Sequence, residues 1–459
     1  MTAEDECPAG ESRLKRRISL DRHSSRYRTE FEQLSDEFHA KCPVAWNEDH
    51  GGHWFVSGNK ELFDLARRAD VLSNDADVHN ERRGYDGISI PVVPKERRGG
   101  MIGGFIEMDP PDQRYYRNAL NPYLSPAAVA RWQPVIDEIV RASLDEVIET
   151  GRIDFVDDLA NVVPAVLTMA MLGLPLADWV VYSEPMHASV YTPPDSPDHP
   201  RVRELTMKMG QRLRESIAEI RANPRPGLVN AVVTADIGGR SPDDMEAVGS
   251  VMLLIGGGFD TTTALTAHSL EWLAHHPEER ERLDREWEHL RDSATEEFLR
   301  FFTPAVGDGR TISQDVEIDG TRFTEGERVW LSWAMSNRDA AVFEEPHTVR
   351  LDRRGNRHAS FGLGIHRCIG SNVARATFKT MLRAVLDRLP DFVCDPAEAV
   401  HYDTTGVING MKHLPATFTP GERVGAGLDE TIARLQRVVD EQRLAEPVTV
   451  RKERARLGD

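Results

Sequence analysis

Apolar residues recur at three- and four-residue steps through Val129, Trp132, Val135, Ile136, Ile139, Val140, Leu144, Val147 and Ile148, which marks one helix face turned toward a core. Ser125-Pro126 supplies an N-cap followed by proline at the first helical position, and Gly151 stands where a C-cap belongs. One helix between them is predicted. A second periodic stretch opens at Ser241-Pro242-Asp243-Asp244, a capping-box-like start. It runs through Leu253, Thr261 and Leu270 to about His276, with Pro277 to end it. This helix is far longer than average and apolar on most sides in its middle, which predicts a path through the centre of the molecule. The most apolar run, Val162 to Leu176, is interrupted by Thr168, Gly173 and two prolines. It falls short of the ~18–20 residues a membrane crossing needs and reads as a buried helix.

Strand signals are few and short. Val316-Glu317-Ile318 and Thr321-Arg322-Phe323 flank Asp319-Gly320, a hairpin with a tight turn. Val329-Trp330-Leu331 and the region around Trp54-Phe55-Val56 are further strands. After Phe361 a glycine-studded loop leads into a helix from about Ser371 to Leu389, with Ala374, Phe378, Met381, Leu382 and Val385 inward. The fold class is therefore mainly α with small β-sheets. Residues 1–25, beginning MTAEDECPAG, carry charges of both signs and no apolar core; they read as a mobile leader rather than a secretory signal. Residues 422–459 look separable: Leu428, Ile432, Leu435, Val438 and Val439 line an amphipathic helix, followed by Arg451, Lys452, Arg454 and Arg456. A surface helix packed on the body is favoured there over a partner-binding tail.

Length changes this picture little, since 459 residues fit about three domains or one large one. Charge excludes more. With 56 Lys and Arg against 75 Asp and Glu, the net charge is −19, which argues against nucleic acid as a general partner. The four cysteines, Cys7, Cys42, Cys368 and Cys394, are scattered without a CxxC pair. They form neither a disulfide framework nor a zinc site and fit a reducing, cytoplasmic location.

One segment concentrates chemistry: Phe361-Gly-Leu-Gly-Ile-His-Arg-Cys368-Ile-Gly370. Three glycines within it require a tightly folded backbone or close approach to something flat. A cysteine in such a turn, at the start of a helix, receives backbone N–H groups and the positive helix end, both of which favour a thiolate. The bland alternative is a small buried hydrophobe. In the long central helix, Gly256-Gly257-Gly258 cost about 1 kcal/mol each against alanine, so something needs that face open. Thr262 and Thr263 weaken the helix further, and a plain kink is the simplest reading. Asp260 followed by Thr261, an acid beside an alcohol, instead suits proton delivery.

FGLGIHRCIG resembles the haem-ligand signature of the cytochrome P450 superfamily, the haem-thiolate monooxygenases. The resemblance covers roughly Cys42 to Pro420 and is nearest to the soluble bacterial, camphor-monooxygenase-like class. It implies a single large P450 domain over residues 26–421, with haem b between the central helix and the cysteine loop. Cys368 is then the proximal ligand of the iron; Phe361 and Gly362 pack beside it, and His366 bonds a haem propionate. Glu297-Phe-Leu-Arg300 resembles the family's ExxR pair, a structural network rather than a catalytic one. Gly257-Gly-Phe-Asp260-Thr261 resembles the oxygen-activation motif, in which Asp260 relays protons and Thr261 hydrogen-bonds the oxygen being activated. Asp109-Pro-Pro-Asp-Gln113-Arg-Tyr-Tyr-Arg117 and Asp308-Gly-Arg310 resemble the segments whose arginines bind propionates; Gln113 stands where related chains carry histidine. Gly256 departs from the larger apolar residue usual there and would enlarge the substrate pocket.

The implied activity is insertion of one atom of O2 into a C–H bond. No phosphate-cradling glycine loop attributable to a flavin or nicotinamide domain is evident, so electrons would come from an iron–sulfur ferredoxin and its reductase. Arg114, Arg357, Arg367, Arg375 and Lys379 would form a basic docking patch for that donor. Walls contributed by the segment around Ile88 to Phe105, Leu253, Gly257 and Val306 point to a hydrophobic terpenoid-, steroid- or fatty-acid-like substrate, with no membrane partner. The alternative is a non-catalytic haem-thiolate sensor or binding protein. A cysteine-nucleophile hydrolase built on Cys368 and His366 is disfavoured, because residues two apart in a tight loop seldom reach base–nucleophile geometry.

Overall fold

The computed structural model describes residues 16–77, 85–93, 103–192, 196–441 and 444–448. Its main core gathers the helices Gln133–Val147, Val162–Leu172, Asp244–Gly258, Asp260–His275, Trp287–Phe302 and Ser371–Arg388 around one apolar interior. Val162–Leu172 is buried along almost its whole length and ends at Gly173, whose φ of 76° closes it as a left-handed C-cap. The stretches Phe155–Leu172 and Asp244–His275 are long and apolar enough to cross a membrane, but 78% and 61% of their apolar windows lie inside the protein, as core helices do.

The helix expected over the segment after Ser125 is two. Pro126–Ala130 starts on the Ser125 cap, and Gln133–Val147 starts afresh after Trp132. Pro134 explains the break: it lacks an N–H and suits the first turn of a new helix rather than the interior of an old one. The long central helix begins on the capping box of Asp243 and Glu246. It is interrupted at Phe259 (φ −87°, ψ −78°), which separates Asp244–Gly258 from Asp260–His275. Pro277 opens the next helix, Pro277–Arg285. In Ser371–Arg388, Phe378, Met381, Leu382 and Val385 are buried, and Ala374 is half-buried.

The largest sheet has six strands, in the order Arg17–Ile18, Val44–Asn47, His53–Val56, Arg328–Leu331, Asp308–Ile312 and Leu72–Ser73. Trp54, Phe55 and Val56 pair in parallel with Val329, Trp330 and Leu331. The hairpin Val316–Ile318 with Thr321–Phe323 turns through Asp319 (φ 48°) and Gly320 (φ 75°), the positive pair a two-residue turn requires. Val400–His401 pairs with Met411–His413 in a small separate ladder.

The described part of the expected leader, residues 16–25, is tied to the body rather than mobile. Arg17 and Ile18 pair with Trp46 and Asn47, and the fully buried Arg22 donates to the Gly406 carbonyl at 2.7 Å with its guanidinium over Trp330. The rest of that expectation, residues 1–15, lies outside the described residues. The helix Leu428–Glu441 turns Ile432, Leu435 and Val439 into the main core. Arg141 reaches across to the Thr431 hydroxyl at 2.8 Å and the Ala426 carbonyl at 2.9 Å. Arg451, Lys452, Arg454 and Arg456 lie outside the described residues.

Candidate active site

The cysteine loop closes on itself: the Cys368 N–H donates to the Phe361 carbonyl at 2.7 Å. Gly362 and Gly364 take φ of 64° and 69°. A Cβ on Gly364 would come within 2.5 Å of the Ala66 carbonyl oxygen, so only glycine lets this turn pass that backbone. Phe361 is held under the Arg375 guanidinium at 4.4 Å, and Arg375 makes a two-pronged bond to Glu296 at 2.6 and 2.7 Å. Burial alone would raise the Glu296 carboxyl, but its bonds to Arg375 and His358 outweigh that and leave it ionised down to about 2. Cys368 is accessible to a small molecule yet closely surrounded. That enclosure pushes its thiol up, while the Gly370 N–H and the charges of Arg367, Arg117 and Arg375 pull the other way.

Three cationic or donor side chains gather near the loop. Arg310, on the strand Asp308–Ile312, is buried and finds its nearest carboxylate, Asp308, only at 3.8 Å. Arg117 is half-buried, with Nη2 on the Arg367 carbonyl at 2.9 Å. His366 Nε2 is buried without a partner among the described residues. Burial, then Arg310 and Arg117, hold the His366 imidazole down to about 3. Like charges crowded around an unpartnered donor suit carboxylates brought by a ligand. Gln113 lies against the same loop: its amide nitrogen donates to the Ile365 carbonyl at 2.7 Å, which leaves a second N–H on that nitrogen. Gln113 braces the cysteine loop from the helix Asp112–Leu124.

The glycine triplet divides by neighbour. A Cβ at Gly256 would meet Met186 Cε at 2.8 Å, and one at Gly258 would meet Thr168 Oγ1 at 2.7 Å. Only Gly257 faces open space. Glycine at 256 thus leaves room for the tip of Met186. Thr261 donates to the Gly257 carbonyl at 3.0 Å, across the break at Phe259. Asp260 is buried and heavily bonded: His187 Nδ1 lies 2.7 Å from Oδ1, and the Tyr402 hydroxyl donates at 3.0 Å to both oxygens. His187 and Tyr402 were missed in the sequence because neither sits near a motif. Burial and then the adjacent Asp260 charge push the Tyr402 phenol far up, so it stays a donor.

Glu297 and Arg300 pair at 2.8 Å through two parallel bonds, both side chains fully buried. Arg353 Nε and Asn356 also donate to Glu297, and Arg300 reaches the carbonyls of Asn337, Pro346 and Thr348. One helix is thereby locked to the loop that precedes the cysteine. Of the expected pocket walls, Leu253 is half-buried and Gly257 open. Val306 is buried among Phe55, Ile90 and Trp330. Residues 94–102 of the expected wall segment lie outside the described residues.

A lone thiol with backbone support, an open glycine face on a central helix and a carboxylate-seeking trio fit a flat, dianionic iron porphyrin. Fold and site together define a haem-thiolate protein. The cytochrome P450 family profile matches residues 186–398. A vitamin D3 dihydroxylase of Streptomyces griseolus is 30% identical over 68% of this chain and 77% of its own length. A steroid C26-monooxygenase of Mycolicibacterium smegmatis is 27% identical over 87% and 93%. A Mycobacterium marinum cytochrome P450 solved with pseudoionone superposes with a TM-score of 0.79 at 26% identity, covering 88% of this chain and all of that one. The chain belongs to the cytochrome P450 family: it is a haem b oxidoreductase.

Proposed function

We propose that this protein is a monooxygenase that places one oxygen atom from O2 into a C–H bond of a hydrophobic, terpenoid-, steroid- or fatty-acid-like molecule. When bound, haem supplies the oxygen-activating chemistry. Cys368 would hold its iron, with Arg117, Arg310 and His366 toward its carboxylates and Phe361 and Gly362 packed beside the thiolate. The observation that carries this reading is the Asp260–Thr261 pair at the helix break. Thr261 presents an alcohol beside the open glycine of the triplet, and Asp260 behind it is wired to two more titratable side chains. A sensor has no use for such an arrangement. Relatives named for vitamin D3, steroid and methyl-branched lipid hydroxylation support an apolar substrate.

Electrons would arrive from a separate iron–sulfur ferredoxin and its reductase. Arg114, Arg357 and Arg367 are exposed and suit an acidic donor on an otherwise acidic protein. Arg375 and Lys379, expected in the same patch, are bonded to Glu296 and Asp292. The test is a titration of the oxidised protein with steroids, terpenoids and fatty acids, followed by the shift of its Soret band. Saturable shifts confined to apolar molecules, followed by hydroxylated product on reduction, are expected. Shifts with none of the three classes would reject the substrate assignment.

A further inference from the structure

We propose that His268, Glu271 and His401 bind one divalent ion of the zinc type, at a site separate from the cysteine loop. His268 and Glu271 sit three residues apart on Asp260–His275 and so share a helix face. His401 comes from the strand Val400–His401. One donor atom from each lies within 4.8 Å of the others. The carboxylate already spans both rings, with Oε1 2.8 Å from His401 Nε2 and Oε2 3.6 Å from His268 Nδ1. Two imidazoles and one carboxylate are the donors of an open zinc site, and the nitrogen share disfavours magnesium and calcium.

The surroundings suit an ion. A cleft of about 650 Å³, lined by all three residues together with Phe302 and Asn409, leaves room for water as a further ligand. The buried His268 ring stacks on Phe302, with 5.3 Å between centroids and 13° between planes, which fixes its orientation. Burial keeps His268 neutral and so available as a ligand. Burial alone would raise Glu271, but its bonds to His268 and His401 overcome that and keep it ionised. Arg28, anchored on the Tyr402 carbonyl, faces the same cleft, and its charge opposes the ion. The site is therefore weaker than a closed structural zinc centre. An ion there would brace the strand next to Tyr402 against the helix that carries Asp260.

The test uses the haem-loaded, tag-free full chain, stripped with chelator and titrated with Zn2+ against a chromophoric competitor. About one zinc per iron is expected, and His401→Ala and Glu271→Gln should each weaken binding at least about tenfold with the haem spectrum unchanged. His413→Ala should leave binding alone; it alters the more exposed Asp154, Asp157 and His413 group. Zinc-edge X-ray absorption of the unmodified protein should show two imidazoles with oxygen and no sulfur, and this decides the matter even where a variant fails to fold. Absence of bound zinc at micromolar concentration, unchanged affinity in both site variants, loss in His413→Ala instead, or sulfur in the shell would each overturn the site.

Discussion

Asp260 and His187 stand 2.7 Å apart, Oδ1 to Nδ1, joining the break in the central helix to the helix Trp179–Tyr191. Tyr402 donates to the same carboxylate from a third part of the chain. The acid proposed to relay protons is thus positioned by residues 73 and 142 places away. Asp260→Asn should slow product formation by about 10²-fold, the lower range for a lost proton-transfer group. Tyr402→Phe and His187→Asn should slow it less, with substrate affinity retained and a larger solvent isotope effect. Turnover measured with saturating reductant checks this; an unchanged rate in Asp260→Asn removes the proton-delivery assignment.

Thr261→Ala separates the oxygenase from the sensor reading. Losing the hydroxyl that bonds the Gly257 carbonyl should leave haem content intact while NADH consumption outruns product and peroxide rises. Simultaneous assays of NADH, product and peroxide measure the ratio. Full coupling in this variant would count against Thr261.

Removing one partner of a buried, hydrogen-bonded ion pair leaves the other charge stranded, at about 3–5 kcal/mol. Glu297→Ala strands Arg300 and Arg353 together. Little soluble, haem-loaded protein should be recovered from it. Thermal unfolding of the milder Glu297→Gln variant should show a lowered Tm; an unchanged midpoint would mean that the network is dispensable.

Acid stability should depend on His53. Burial, then Arg22 and His50, hold its fully buried side chain down to about 3 from an ordinary value of 6.5. The unfolded chain therefore binds a proton below 6.5 that the folded one refuses. Stability is complete above pH 6.5 and falls as pH drops toward 3, by up to about 1.4 kcal/mol per pH step. Glu296, with an ordinary value of 4.5 and a folded value of about 2, loses its stabilisation only as pH falls below 4.5. Urea unfolding between pH 6.5 and 4.5 should accordingly show a shallower slope for His53→Asn than for the parent; equal slopes would contradict the assignment.

Reversing Arg114 and Arg357 to Glu should slow reduction by a ferredoxin and weaken its dependence on salt, because both charges are exposed. Stopped-flow reduction at low ionic strength measures it. Equal rates would move the docking face elsewhere.

Contiguous features were legible in the sequence. The cysteine loop is ten adjacent residues whose glycines announce their own backbone, and Glu297 and Arg300 meet because a helix brings positions three apart together. The Asp-Gly hairpin and the Asp243 capping box are equally local. Features set by distant neighbours were not legible. Gly256 and Gly258 are small because Met186 and Thr168 press on them from other helices, and no pattern around the triplet says so. His187, Tyr402 and the His268–Glu271–His401 group are assembled by packing alone. The bond from Gln113 to the Ile365 backbone is likewise set by a distant neighbour and was not legible.

The sulfur of Cys368 as the iron's ligand is the statement on which the rest stands, and carbon monoxide tests it most directly. Reduced, haem-loaded protein exposed to the gas should show the red-shifted Soret band characteristic of thiolate coordination, and Cys368→His should lose that band while retaining haem. An unshifted band in the unmodified protein, or the same red shift in Cys368→His, would contradict the account.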